Sequence, residues 1–321
     1  MPNYNGVWSL TTQLQYAADW PNIPVTPIAI NMRAAGSNTT NAFTTFNLSS
    51  QGNATNFGNA VVNRSQFGAL SSITRGVFAG HSSDTVSLAN SIEYITIASA
   101  GNGTDFGDLT ASYWQFDGAS NTTRGLFFVT SQDSISNAIE YITIASTGNS
   151  SDFGDSVATR RGNAATSSSI RALEHLGFSG GSVNTVDYVT IASTGNASDF
   201  GDLTSSDRYK ACAFSSSTKA FFAAGGGGTG SGSNIVDYFT IASTGNATDW
   251  GDLLEGYNAP GATSSTVYGF IVGGYGSTSG GAVNTIQNIS LSSAGNSSDW
   301  ADLTVAGNNN RTVSSTDGGL Q

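Results

Sequence analysis

Pairs of aspartates three residues apart recur along the chain, and they are the residues best suited to chemistry. The pairs are Asp105/Asp108, Asp152/Asp155, Asp199/Asp202, Asp249/Asp252 and Asp299/Asp302. Neighbouring carboxylates can hydrolyse a glycosidic bond or ligate calcium. A glycosidase, however, needs two carboxyl groups in different environments, and here the pairs are alike. We therefore predict no catalytic, cofactor-binding or metal-binding residue and no enzyme. Carboxylates that accept backbone N–H groups near a turn are the favoured interpretation, and bound calcium is the alternative.

A repeated sequence motif, called the phrase below, accompanies each pair and defines the structural elements that must position these acids. One copy runs over 17 residues, from Val186 to Asp202. The phrase contains a Gly-Asn pair, and successive copies of its glycine lie 47 to 50 residues apart, at Gly52, Gly101, Gly148, Gly195, Gly245 and Gly295. Repeats of this length are typical of the blades of a β-propeller. The sequence therefore predicts an all-β propeller.

Residues 204–253 illustrate the four strands that we predict for one blade. They are 209–214, 219–224, 236–243 and 248–252. The second strand is apolar without alternation, which suits a strand covered on both faces, and the third is rich in β-branched and aromatic residues. Gly245-Asn246, between the last two strands, predicts a tight hairpin with positive φ angles. No segment combines a helical period with capping residues, so we expect almost no helix.

The two ends of the chain complement each other. Five units are complete, at 61–109, 110–156, 157–203, 204–253 and 254–303. The first unit has candidates for a second, third and fourth strand at 28–33, 43–49 and 56–58, but no room for a first strand. The stretch 310–315 matches a first strand, and its pairing would close the ring without an open edge. We therefore predict six blades within residues 27–321. Residues 1–26 would form an N-terminal arm, or part of a seventh blade as the alternative.

Composition narrows the class of partner. The formal net charge is −11, and the only lysines are Lys210 and Lys219, so the chain has no basic footprint for nucleic acid. A single cysteine, Cys212, and two histidines exclude an intramolecular disulfide and a cysteine-built metal site. The N-terminus has no basic region followed by an apolar run, and no stretch approaches 18 apolar residues. We therefore expect synthesis in a cytoplasm, without a signal peptide or a membrane span.

Three further sets of side chains recur with the repeat. An aromatic column is predicted to pack between blades rather than to stack on a ligand, at Phe57, Phe106, Phe153, Phe200, Trp250 and Trp300. Additional acids begin the third strands, at Glu93, Glu140, Asp187 and Asp237. Basic residues follow the turn between the first two strands, at Arg75, Arg124, Arg171 and Lys219. In a four-stranded antiparallel blade, this turn lies on the same face as the Gly-Asn pair.

The opposite face should carry the connections between the second and third strands. These connections differ in length and content, at 80–91, 130–137, 179–184, 225–233 and 273–283. Regular turns suit repeated contacts, whereas variable loops suit recognition of one particular partner. We therefore expect the regular face to pack on a larger assembly and the variable face to point outward.

The repeat unit resembles the Kelch repeat, which forms one blade of a β-propeller. A glycine pair, an aromatic residue and a tryptophan carry the resemblance, as Gly225-Gly226, Tyr238 and Trp250. Gly273-Gly274 with Trp300 repeats the glycine pair and the tryptophan. Two departures are visible, because the unit that holds Phe127-Phe128 lacks the glycine pair and Asn288 replaces the tyrosine of the last copy. The resemblance implies a Kelch-like fold and leaves function open.

The amino-acid sequence of the repeat is also similar to that of repeat-bearing structural proteins of tailed phages from aquatic bacteria. The stretch 141–149, Tyr-Ile-Thr-Ile-Ala-Ser-Thr-Gly-Asn, and the later Asp-Phe-Gly-Asp carry this resemblance. It implies a virion structural protein, such as a tail fibre, appendage or decoration protein, without a cofactor. Its partners would be other virion proteins and a host-surface glycan, and it would be a homo-oligomer or present in many copies. A glycan-binding adhesin is the first alternative, and a glycan-active propeller enzyme is the second.

Overall fold

Apolar second strands between strands of mixed character produce six small antiparallel sheets. The computed structural model describes residues 26–35, 38–81, 90–130, 136–181, 183–206, 208–226 and 232–315, and within these ranges it contains strands and no helix. No helix in that part of the chain is long and apolar enough to cross a membrane. The predicted arm at 1–26 lies outside the described residues except for its last residue. Each sheet contains the four strands of one blade, and blade 5 carries two additional short strands.

The blades follow one another in chain order. Blade 1 contains β1 (Ile28–Ala35), β2 (Asn38–Asn47) and β3 (Thr55–Asn59). Blade 2 contains β4 (Gly68–Ser71), β5 (Arg75–Ala79), β6 (Ser91–Thr96) and β7 (Thr104–Asp108). Blade 3 contains β8 (Asp117–Ser120), β9 (Arg124–Phe128), β10 (Ser136–Thr143) and β11 (Ser151–Arg160). Blade 4 contains β12 (Ala164–Ser167), β13 (Arg171–His175), β14 (Thr185–Thr190) and β15 (Ser198–Asp202).

The last two blades complete the ring. Blade 5 contains β16 (Cys212–Ser215), β17 (Lys219–Ala223), β18 (Ser233–Thr240) and β19 (Thr248–Asn258), with the additional strands β22 (Tyr275–Gly276) and β23 (Gly281–Ala282) on its outer edge. Blade 6 contains β20 (Gly261–Ser264), β21 (Tyr268–Val272), β24 (Thr285–Ser290) and β25 (Ser298–Asp302). Strand β26 (Asn308–Ser314) belongs to blade 1.

The C-terminal strand closes the propeller, as predicted. Strand β26 pairs antiparallel with β1, and Ser314 lies opposite Ala29. The first strand of each blade lies innermost, and the six inner strands contact one another in a closed ring. The structure therefore has six blades rather than seven, with the first blade built from both ends of the chain.

The predicted strands of blade 5 are correct in order, but four of their boundaries are wrong by three residues or more. One of these is the start of the third strand, which lies at Ser233 rather than at residue 236. The first strand begins at Cys212 rather than at residue 209, because Lys210 adopts a left-handed φ of 58° that a strand cannot contain. The third strand ends at Thr240, since the chain turns at the following residues. The fourth strand continues to Asn258, because it pairs at its far end with residues outside the repeated phrase.

The aromatic column packs inside the blades and between them, as predicted. Phe106, Phe153, Phe200 and Trp250 are buried. Each makes an edge-on contact with the tyrosine of its own third strand, at centroid distances of 4.8–6.1 Å. In blade 6, Asn288 replaces this tyrosine, and Tyr268 of the neighbouring strand contacts Trp300 instead. The aromatic residues therefore form core contacts and are not available as a ligand-stacking ring.

A second period, of two blades, overlies the period of one blade. The third strands of blades 3 and 5 have 8 residues, whereas those of blades 2, 4 and 6 have 6. The outer strand also ends in Asp-Leu-Thr in every second blade, at 108–110, 202–204 and 302–304. At the intervening positions, aliphatic residues replace the threonine, as Val61, Val157 and Leu254. The propeller is therefore a pseudo-threefold array of double blades.

Candidate functional site

The Gly-Asn pair of each blade bonds to the preceding blade. In blade 4, the N–H of Gly195 donates to the carbonyl oxygen of Phe153 (2.8 Å). The N–H of Ala197 donates to the carbonyl oxygen of Asp155 (2.7 Å). The Asn196 Oδ1 accepts the N–H of Asp155 (3.1 Å). We call this contact between a Gly-Asn-x triplet and the preceding outer strand the clip, and the face that carries it the clip face.

The predicted tight hairpin at Gly-Asn is therefore wrong. The chain reverses earlier, where the N–H of Ser193 donates to the carbonyl oxygen of Thr190 (3.3 Å). Residues 191–193, which the repeat pattern predicts as strand, form this turn. Gly195 then runs along the neighbouring blade with a φ of 157°, a value that side chains rarely adopt. The pair is conformationally special because it approaches another blade, not because it makes a two-residue turn.

Each of the six blade junctions contains the asparagine contact. The side-chain oxygens of Asn102, Asn149, Asn196, Asn246, Asn296 and Asn53 accept the N–H groups of Asn59, Asp108, Asp155, Asp202, Asp252 and Asp302. The last of these contacts joins blade 6 to blade 1 at 3.1 Å, so the ring is closed by the same contact that joins the other blades. A clip also occupies backbone groups on the outer edge of a blade, which would otherwise remain open to strand pairing.

The paired aspartates contribute to the clip through their backbone. The second aspartate of a pair, such as Asp155, offers its N–H and its carbonyl oxygen. The first aspartate, such as Asp152, is exposed on the outer strand. We predicted that the carboxylate accepts an N–H group near a turn. For the second member of the pair, the backbone makes the contact instead. In the described part of the chain, no three His, Cys, Asp or Glu side chains converge closely enough to hold a metal ion.

Each glycine of the Asp-Phe-Gly-Asp motif lies directly below a clip. A Cβ atom added to Gly107, Gly154 or Gly201 would lie 2.3–2.4 Å from the carbonyl oxygen of the next blade's clip glycine. The φ of these three glycines is 146–148°. A side chain would collide with backbone here, which cannot move without breaking the clip. The motif is therefore a junction element.

The recurring basic residues of blades 2 to 5 act as staples that join each of these blades to the following one. The guanidinium groups of Arg75, Arg124 and Arg171 donate to the carbonyl oxygens of Ile144, Ile191 and Ile241, each at 2.8 Å. Each guanidinium also stacks over the tyrosine of its own third strand, 4.5–4.9 Å from the ring centroid. Lys219 makes the corresponding contact with Leu291 (3.4 Å). These residues lie on the clip face, as predicted, and their charges are committed to structure.

The acids that begin the third strands anchor the segments that connect one blade to the next. All four are buried, and each accepts a backbone N–H group from the connecting segment. The acceptors Glu93, Glu140, Asp187 and Asp237 bind the N–H groups of Val61, Thr110, Val157 and Thr204, respectively. In blade 6, the uncharged Gln287 accepts the N–H of Leu254 in the same way (3.0 Å). An uncharged amide can therefore perform the role, which points to architecture rather than to acid–base catalysis.

Three fully buried arginines, which the sequence analysis missed, support these connecting segments. Arg64 pairs with Glu93 (2.7 Å), and Arg208 pairs with Asp237 (3.1 Å). Arg160 pairs with Glu174 of the second strand. Each guanidinium also donates to backbone carbonyl oxygens, so most of its donors are satisfied. Each arginine stands four residues before the inner strand that follows it, but the signal in the sequence was incomplete, because the other three blades carry Tyr113, Tyr257 and Gly307 at the equivalent position.

A ring of serines closes the central channel on the clip face. Five hydroxyl groups, those of Ser120, Ser167, Ser215, Ser264 and Ser314, each donate to the carbonyl oxygen of the serine in the preceding inner strand, at 2.6–3.2 Å, and the series begins at Ser71. The sequence did contain a signal, since a serine stands before every turn between the first two strands. The ring leaves no wide opening at this end of the axis.

A second ring, of backbone bonds, narrows the opposite end of the channel. Residues with left-handed φ angles of 51–61° stand before five of the inner strands, at Gln66, Gln115, Gly162, Lys210 and Ala259, and the sixth, Asn309, is the second residue of β26. The N–H of Gly162 donates to the carbonyl oxygen of Gln115 (2.7 Å), and the N–H of Lys210 donates to that of Gly162 (2.9 Å). Five of the six are not glycine, and such residues rarely adopt this conformation. The bonds between neighbouring blades offset that strain.

The channel between the two rings is too small for a ligand. Its cavity measures about 40 Å³ and is lined mainly by small residues of the inner strands, among them Ala69, Ala119 and Ala165. Arg311 reaches across it to Asp117, 3.2 Å away. Burial raises the pKa of Asp117, and the nearby Arg311 charge opposes that shift. Pockets that bind small molecules are about 300–1,000 Å³, whereas this volume suits a few waters.

The variable face, which we call the loop face, is only partly described. Residues 82–89, 131–135, 182 and 227–231 of its predicted loops lie outside the described residues. The connection in blade 6 forms the hairpin β22–β23, which extends the sheet of blade 5. The carboxylate of Glu255 accepts the N–H groups of Thr278 (2.7 Å) and Ser279 (2.9 Å) at its turn. This hairpin has no counterpart elsewhere in the described structure.

The clip face carries exposed aliphatic side chains in every second blade. Ile73, Ile170 and Val267 stand on the turns between the first two strands, and they are 59%, 64% and 52% exposed. Beside Ile170, between blades 4 and 5, lies an open groove of about 410 Å³, which Arg171, Thr218 and Ile241 also line. Serine or threonine occupies the turns of blades 3 and 5. The clip face is therefore regular in backbone but alternates in side-chain chemistry.

Neither the models of known protein families nor the curated proteins include a match to this chain.

Proposed function

We propose that the protein is a non-enzymatic structural component that attaches a rigid propeller to a larger particle through its clip face. The observation that carries this proposal is the asymmetry of the two faces. The turns of the clip face are held by the same inter-blade contacts at every junction. The predicted loops of the opposite face differ in length and content. A regular face suits repeated attachment, and a variable face suits a specific outward contact.

The chemistry of the repeated acids supports a role without catalysis. Buried acids such as Glu93 and Asp237 are committed to arginines and to backbone N–H groups. The exposed aspartates repeat from blade to blade, so no single pair has a distinct environment. The channel cavity of about 40 Å³ has no room for a sugar. We therefore favour display over a glycan-active enzyme.

The resemblance of the repeat to phage structural proteins suggests which particle carries it. We propose a tailed-phage virion, in which this Kelch-like propeller serves as a fibre, appendage or decoration protein present in many copies. Copies that each bind a host-surface glycan weakly would gain avidity from their number. The half-buried ring of Tyr275, on the hairpin of the loop face, is one side chain that such a glycan could contact.

A pair of matched triple variants tests the attachment face. We expect Ile73→Ser/Ile170→Ser/Val267→Ser to reduce binding of the purified protein to particles that lack it by about tenfold or more, because three exposed aliphatic side chains would no longer bury apolar surface in the contact. The control is Val61→Ser/Val157→Ser/Leu254→Ser, three residues of the segments that connect one blade to the next, which are also 50–59% exposed. Co-sedimentation followed by immunoblotting measures binding, and thermal melting verifies the fold. Loss of binding in the control alone would refute attachment through the clip face.

A further inference from the structure

Blade 4 contains a buried pair of carboxyl groups that the other blades lack. Glu174 of β13 and Asp187 of β14 are direct cross-strand partners. Both side chains are fully buried. In blades 2 and 5, the residue opposite the third-strand acid is a phenylalanine, Phe78 or Phe222. Blade 4 therefore places an extra acid where its neighbours have an apolar side chain.

One guanidinium serves this pair, and it is committed to Glu174. Arg160 forms its ion pair with Glu174, which also accepts hydrogen bonds from Asn163 and from the hydroxyl of Ser156 (2.8 Å). Asp187 receives only the N–H of Val157, at its Oδ2 (2.8 Å). The Oδ1 of Asp187 is buried and has no hydrogen-bond partner.

The other blades satisfy their buried acids. In blade 3, the buried Glu140 has no arginine partner, but both of its carboxyl oxygens accept hydrogen bonds, from Thr110 and Ser150. Blade 2 matches Glu93 with Arg64, and blade 5 matches Asp237 with Arg208, so each has one buried acid and one buried base. Blade 4 has two acids for its one base. An uncompensated charge in a protein interior costs several kcal/mol, and a carboxyl group avoids that cost by keeping its proton.

We infer that the Glu174–Asp187 pair holds one proton in the folded protein in weakly acidic solution, mainly on Asp187, and that blade 4 loosens when a rising pH removes it. The unpartnered Oδ1 of Asp187 is where this proton resides. Its loss would place a second negative charge beside Glu174 and strain the anchor at Val157, which holds the segment between blades 3 and 4. The inference concerns stability and does not depend on the proposed attachment.

The surrounding groups agree with this assignment. Burial raises the pKa of Asp187 to about 7; the Val157 N–H and Arg160 oppose the shift, and Glu174 and Asp199 add to it. Burial likewise raises the pKa of Glu174, with Arg160 opposing. His175, the next residue on β13, stays uncharged in the neutral range, because burial lowers its pKa to about 4. Among the described residues, two cations act on these groups. Arg160 acts on Glu174 and Asp187, and Arg208 acts on His175.

The sign of the pH dependence follows from the raised pKa. Between the ordinary pKa of an aspartate and about 7, the folded state binds a proton that the unfolded state has lost. Stability from this group is therefore greatest in acid and is lost as the pH rises toward about 7. In that window, the unfolding equilibrium constant should rise by up to about tenfold per pH unit.

The test combines infrared spectroscopy of the intact protein with urea unfolding. We expect the wild type at about pH 6 to show the C=O stretch of a protonated carboxyl group that disappears by about pH 9, in line with the titration expected for this group. Asp187→Asn should lack that band, and its unfolding constant should rise less steeply with pH than that of the wild type. Asp152→Asn, at an exposed position, should behave as the wild type does.

Two results would overturn the inference. One is a wild-type spectrum without a titrating protonated carboxyl band, a result that does not depend on any variant folding. The other is an Asp187→Asn protein that keeps both the band and the wild-type pH dependence. Glu174→Gln provides a further check, because it frees Arg160 to pair with Asp187 and should also remove the band.

Discussion

Replacing Arg208 by methionine should lower the free energy of unfolding by about 3–5 kcal/mol, the largest single effect that we predict. Arg208 is fully buried, and its guanidinium bonds to Asp237 and to the carbonyl oxygens of Ala224 and Phe222. Methionine fills a similar volume but leaves the Asp237 carboxylate without its counter-charge and the carbonyl oxygens without donors. Equilibrium unfolding in urea measures the loss.

Two controls separate the charge effect from simple loss of packing. Arg124→Met removes a half-buried staple, and we expect a loss of about 1 kcal/mol or less. The double variant Arg208→Met/Asp237→Leu removes both charges and should recover a substantial part of the stability. If the two single arginine variants are equally stable, the buried pair does not support the connecting segment as described.

Replacing Gly154 by alanine should cost about 1–3 kcal/mol by breaking one clip. The added Cβ would lie 2.4 Å from the carbonyl oxygen of Gly195, and Gly154 has a φ of 146° that alanine rarely adopts. The junction between blades 3 and 4 should open, so the amide hydrogens of Gly195 and Ala197 should exchange faster. Urea unfolding and hydrogen exchange measure the two effects.

The matched control is Gly52→Ala, in a clip itself. A Cβ atom at Gly52 would meet nothing within 4 Å, so we expect a change within about 0.5 kcal/mol. The chain already carries alanine at one position equivalent to Gly154, Ala301 at the closing junction, where the asparagine contact is still made (3.1 Å), so we expect a partial rather than a complete loss of stability. Unchanged protection of Gly195 and Ala197 in Gly154→Ala would contradict the account of the clip.

Much of the fold could be predicted from the sequence, because each strand has a local signature. The apolar second strand at 219–224 and the β-branched third strand at 236–243 depend on side chains that burial selects. Closure by residues 310–315 followed from a missing strand at one end and a surplus strand at the other. The two-blade period was also visible, in the alternation of Asp-Leu-Thr, and the sequence analysis missed it.

The role of Gly-Asn could not be predicted in the same way. Asn196 bonds to Asp155, which lies 41 residues earlier and in another blade. The preference of Gly-Asn for tight turns describes only its own few residues, so it favoured a local hairpin. The buried arginines were missed for a related reason, because the partner of Arg208 is Asp237, 29 residues away. Contacts between blades are invisible to rules that describe a single strand or turn.

A cryo-EM reconstruction of the tailed-phage particle that we propose as the carrier of this chain would test the central claim most directly. We predict six-bladed discs in many copies on the particle, each with its serine ring and clips against the particle and with the β22–β23 hairpin pointing outward. Discs that bury the hairpin and expose the clips would contradict attachment through the clip face. A chain found as a free monomer, with no density on the particle, would contradict the proposed virion role itself.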